Sequence, residues 1–141
     1  MQGPKLYIFT ALQLIAVILF VWVLARLKTP WNTQRYAGTV LVILGITFIL
    51  IARYQLGKSF SITPQAHKLV TTGIYSKIRN PIYVFGTILF AGLILVLQRP
   101  LLWILLGIVI IAQVLRARKE AQVLEAAFGD AYREYRRKTW F

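Results

Sequence analysis

Two groups of residues have the types and spacing to do chemistry. Arg116 and Glu120 stand four apart at the end of an apolar run. On a helix they share one face, so they form either an exposed ion pair worth about 0.5 kcal/mol or less, or a working pair. In the working reading, Arg116 takes an anionic headgroup or carboxylate and Glu120 takes a cationic amine. The second group is GIYSKIRNPIY, residues 73–83, which holds Gly73, Tyr75, Lys77, Arg79, the Asn80-Pro81 step and Tyr83. Asn80 suits an N-cap and Pro81 a first helical position, so a helix starts there. Its first turn offers free N–H groups and a positive dipole end to an anion. Gly73 allows a tight turn before Tyr75. Tyr75, Tyr83 and the lone histidine, His67, add flat amphipathic rings. Together these features suit a nucleotide-like cofactor; the bland reading is an interfacial aromatic belt. For His67 the bland reading is a surface residue.

These groups have to be positioned by very apolar elements. The chain has 141 residues, which is one domain by length. It is 58% hydrophobic with a mean hydropathy of +0.65, beyond the ordinary globular range, so its solvent is lipid. The absence of cysteine excludes disulfides and thiol chemistry, and one histidine with four acids argues against a metal site. Four apolar segments give spans at about 6–27, 36–54, 81–97 and 101–118, with Gln98-Arg99-Pro100 as the turn of a helical hairpin. The expected fold is therefore all-α: a polytopic membrane protein of about four transmembrane helices plus cytoplasmic C-terminal helices. Residues 55–80 form a loop and 119–141 a tail. The first run is too long for a cleavable signal core.

The net charge of +13 does not point to nucleic acid, because the cations sit at the ends of apolar runs. Thirteen lie on the side of Lys5, the long loop and the tail; Arg26, Lys28, Arg35 and Arg99 lie on the other. This asymmetry puts both termini and the long loop in the cytoplasm. All four carboxylates lie in the tail, so the spans carry no proton-relay acids. Within the tail, Gly129 reads as the end of one helix and Asp130 as the N-cap of the next. Tyr132, Tyr135 and Trp140 beside basic residues suit an interfacial helix on anionic lipid.

The run from His67 through Leu69, Val70, Gly73 and Tyr75 to Arg79-Asn80-Pro81-Ile82-Tyr83 resembles the pattern H-x-L-V-x-x-G-x-Y-x-x-x-R-H-P-x-Y. That pattern marks the isoprenylcysteine carboxyl methyltransferase and phospholipid methyltransferase family of integral-membrane enzymes. Arg116 and Glu120, followed by Phe128-Gly129-Asp130-Ala131-Tyr132, resemble the family's R-x-x-x-E…F-G-x-x-Y ending. The resemblance covers about the last 80 residues. It implies S-adenosylmethionine as cofactor and S-adenosylhomocysteine as product. It also implies cofactor contacts from His67, Leu69, Val70, Tyr75, Asn80, Pro81, Tyr83 and Glu120, with Arg116 near the methyl acceptor. The catalytic pair it implies is Arg116 and Glu120. Two positions depart from the pattern: Asn80 replaces the usual histidine and cannot titrate, and Ala121 replaces a second glutamate.

Methyl transfer from a sulfonium is an in-line displacement in which positioning and a dry site carry the catalysis. A carboxylate acceptor needs no base; an ammonium must first lose a proton. With few bases present, the expected substrate is a lipophilic acceptor from the bilayer with an isoprenylcysteine-like carboxylate. The alternative is a phospholipid amine. The alternative of another class is a membrane adaptor whose basic tail grips anionic lipid.

Overall fold

A computed structural model of the chain describes residues 4–57 and 69–141. The described residues form five α-helices: α1 (Pro4–Arg26), α2 (Thr33–Leu56), α3 (Pro81–Leu97), α4 (Leu102–Phe128) and α5 (Asp130–Lys138), with a 3₁₀ turn at Gly73–Ser76. The fold is all-helical, as expected. Helices α3 and α4 start and stop where Pro81, the Gln98 turn and Gly129 place them. Gln98 adopts a left-handed conformation (φ 54°) and its N–H returns to Ile94 O, while Gly129 (φ 56°) closes α4 onto Glu125 O. Helix α2 begins three residues before the apolar run, because Asn32 Oδ1 accepts from Arg35 N at 3.0 Å and caps the helix.

Helices α2 and α3 run antiparallel at backbone contact. A Cβ added at Gly38 would lie 2.6 Å from Gly92 O, and one at Gly92 would lie 2.7 Å from Gly38 O. Further along the seam, a Cβ at Gly45 would meet Leu89 Cβ at 2.9 Å, and Phe48 stacks on Phe85 at 4.7 Å. Small residues allow this approach, and Val42, Ile94 and Val96 are buried beside them.

At the opposite end from the candidate site, Arg35 ties α1 to α2. It is 2% exposed, donates to Leu24 O at 2.7 Å and to Thr29 O, and lies 3.9 Å from the Trp31 ring centre. A guanidinium at the C-terminal end of α1 satisfies carbonyls that the helix leaves open, and the indole face covers it. From sequence Arg35 counted only toward the charge balance.

Elsewhere α1, α2 and α4 expose large apolar side chains, among them Leu14, Ile18, Val40, Ile43, Ile104 and Ile111. Among the described residues, α2 is the one helix long and apolar enough to cross a membrane by itself; Leu14–Arg26 and Pro81–Leu97 are shorter apolar helices.

Candidate functional site

The corridor 73–83 is built by three neighbours. Gly73 takes φ 62°, and Gln55 of α2 accepts from Ile74 N at 2.8 Å. A side chain at Gly73 would be strained by that φ and would also strike the Gln55 carboxamide, whose Cδ lies 2.5 Å from an added Cβ. Helix α5 then covers the turn. Tyr135 donates its hydroxyl to Tyr75 O at 2.7 Å, and Tyr75, Tyr132 and Tyr135 are all buried. Burial pushes the Tyr75 phenol far above its ordinary value, with Tyr135 and Glu120 adding to the effect.

The chain beyond α5 runs alongside the corridor. Ile78 and Trp140 form a parallel bridge, with Trp140 N donating to Lys77 O at 2.7 Å and Arg79 N to Trp140 O at 3.0 Å. Asn80 N and Asn80 Nδ2 both donate to Phe141 O, at 2.8 and 3.1 Å.

This arrangement corrects three expectations. Asn80 precedes α3 but does not cap it through its side chain, because that side chain is spent on Phe141. Asp130 is the first residue of α5 rather than its cap; its carboxylate lies 2.5 Å from the Arg133 guanidinium, which also meets Glu125 across the Gly129 elbow at 2.8 Å. Tyr132 and Tyr135 pack into the protein and not onto lipid, which leaves the exposed face of α5 to its charges and to Trp140 beyond it.

Across from the start of α3, α4 supplies the charged pair. Tyr83 donates to Glu120 Oε1 at 2.7 Å, and Arg116 Nε donates to the same oxygen at 3.1 Å. The pair is neither buried nor free in solvent: the Arg116 side chain is 40% and the Glu120 side chain 25% exposed. Both contacts fall on one carboxylate oxygen, so Glu120 Oε2 keeps its acceptor capacity among the described residues.

The structure thus brings Tyr83, Arg116 and Glu120 into one cluster, with Asn80 and buried Pro81 one turn before Tyr83. Leu69 and Val70 are half-buried in the extended approach to the turn, and Tyr75 lies inside it. His67 lies outside the described residues. Sequence reasoning missed Gln55, the pairing of the Trp140-Phe141 segment with the corridor, and a pair deeper in the helices, Thr87 and Gln113, joined at 2.8 Å. Gln113 did leave a signal, as the first side chain bearing an amide after the apolar start of α4.

The donor and acceptor set fits S-adenosylmethionine. Among the described residues Glu120 keeps one oxygen for an ammonium, and apolar half-buried groups flank a ring-lined turn, while the Asn80 donors at the head of α3 are engaged by Phe141 O. Comparison with the curated proteins and with the solved structures returns no significant match. Residues 33–131 match the phospholipid methyltransferase family, whose members are membrane-associated methyltransferases that generally use S-adenosylmethionine. The match covers α2 through the start of α5, including both the corridor and the Arg116–Glu120 pair. The chain belongs to the phospholipid methyltransferase family.

Proposed function

We propose that the protein is an integral-membrane, S-adenosylmethionine-dependent methyltransferase that methylates the carboxylate of an isoprenylcysteine-like lipid. The observation that carries this reading is the Tyr83–Glu120–Arg116 cluster at the point where two apolar helices become polar. When bound, the cofactor supplies an activated methyl group on a sulfonium. Glu120 holds a cationic amine through Oε2, while Tyr83 fixes the carboxylate from its other oxygen. Asn80, Pro81, Tyr75, Leu69 and Val70 belong to the cofactor's side of the site in this reading, and His67, outside the described residues, is assigned to it by the family resemblance alone. Arg116 turns from Glu120 to the acceptor's carboxylate, which its planar fork matches. Four spans, with both termini and the site at the cytoplasmic face, place that fork at headgroup depth. No residue need remove a proton, which suits a site whose carboxylate is paired with Arg116 and Tyr83.

Glu120→Ala is expected to weaken S-adenosylhomocysteine binding 10- to 100-fold in calorimetry, since a hydrogen bond to a charged group contributes about 1.5–3 kcal/mol. Parental affinity would overturn the assignment.

The family description favours a second reading, N-methylation of a phospholipid amine. There Glu120 or water takes the ammonium proton before transfer. Methyl transfer to N-acetyl-S-farnesyl-cysteine and to phosphatidylethanolamine vesicles, measured side by side, separates the two readings.

A further inference from the structure

We propose that Gln113, held by Thr87, forms the floor of the acceptor site and donates to an anionic oxygen of the lipid headgroup. This rests on the methyltransferase reading above. Thr87 Oγ1 lies 2.8 Å from Gln113 Oε1 and 2.9 Å from Tyr83 O. The Thr87 hydroxyl has one proton to give; with that proton on Gln113 Oε1 and not on Tyr83 O, the Gln113 carboxamide turns its Nε2 toward Gly86. A Cβ at Gly86 would meet that nitrogen at 3.7 Å and no other atom of the described residues within 4 Å, so the described residues leave space beside the amide.

Gln113 precedes Arg116 by three residues and Glu120 by seven, so the three share one face of α4. At 1.5 Å per residue, the amide lies about 4–5 Å deeper than Arg116 along the helix. Thr87 likewise lies one turn deeper than Tyr83. Below this pair both helices turn apolar: residues 88–97 of α3 carry no polar side chain, and residues 102–112 of α4 carry only the Trp103 indole. A headgroup entering from the bilayer meets its first polar contact at Gln113 and its charged one at Arg116. An amide within a span is expensive unless bonded, so a half-satisfied one facing an opening marks a ligand contact. The anionic oxygen that two N–H groups suit belongs either to a lipid carboxylate or to a phospholipid phosphate.

The competing account is that Thr87 and Gln113 only staple α3 to α4. Kinetics on the full chain in detergent decide between them, with N-acetyl-S-farnesyl-cysteine and phosphatidylethanolamine as separate acceptors and S-adenosylhomocysteine affinity measured alongside. Gln113→Leu is expected to raise KM for the acceptor about 10-fold with the effect on KM rather than kcat, and to leave S-adenosylhomocysteine affinity unchanged. Gln113→Glu keeps the acceptor oxygen for Thr87 but sets a negative charge against the headgroup, so it raises KM further. The acceptor whose KM responds identifies the source of the oxygen. Parental KM for both acceptors in Gln113→Leu, even with a lowered melting temperature, overturns the inference and leaves the methyltransferase reading standing. A parent that transfers methyl to neither acceptor overturns both.

Discussion

Tyr135 shows how one residue joins the tail to the site. Its hydroxyl bonds Tyr75 O, and burial pushes its phenol from the ordinary 10 up to about 12. A phenol whose folded value is raised contributes stability that is fully present below its unfolded value and is lost as pH rises through the folded one. Docking of α5 on the corridor is therefore expected to hold to about pH 10 and to release between about 10 and 12. Tyrosinate absorbance and Trp140 emission, followed together through an alkaline titration, check this. Tyr135→Phe removes the hydrogen bond, costs about 1 kcal/mol of stability and shrinks the alkaline step. An unchanged step would mean that other groups drive the release. At this scale the sequence was partly legible. The Arg116–Glu120 contact follows from a spacing of four. The Tyr83–Glu120 bond spans 37 residues, and only the family resemblance brought the two together before the structure did. The bond from Asn80 to Phe141 was not legible, because local preference names a cap while tertiary contact decides where the amide goes.

Among the elements, the α2–α3 seam sets the frame from which α3 presents Tyr83 and Thr87. Gly38→Val would drive a branched side chain into Gly92 O and Val96 N, both backbone atoms that cannot swing aside. The expected cost is about 1–3 kcal/mol or more, read as a lowered melting temperature in detergent, with loss of S-adenosylhomocysteine binding as α3 shifts. Gly107→Ala in α4 is the control, since a Cβ there meets nothing within 4 Å. It should be neutral or stabilise by up to about 1 kcal/mol through helix propensity. If Gly38→Val melts like the parent, the seam is looser than described. Helix positions were readable because Pro81, Gly129 and the Gln98-Arg99-Pro100 turn punctuate the chain. The packing face of α2 was not, since a helix apolar all round shows no stripe, and only the seven-residue step from Gly38 to Gly45 hints at it.

For the whole molecule, the division of thirteen basic residues against four predicts that reporters fused before residue 1 and after residue 141 both report the cytoplasm. An external C-terminal reporter would put the corridor on the wrong side for a cytosolic cofactor. The broad plan, apolar helices delivering a polar cluster to one end, was legible from hydropathy and charge. The anchorage of α1 through one buried arginine was not, because a cation near a span end reads as snorkelling until its partners are seen. The glycine seam has a last consequence, for traffic. Where two helices lie so close that neither admits a methyl group, no acyl or prenyl chain can pass between them. Helices α3 and α4 touch far less. For the lipophilic acceptor that the proposed function requires, the α2 flank of α3 is shut at the glycine seam, and the α4 flank beneath Arg116 is the side left for entry from the bilayer.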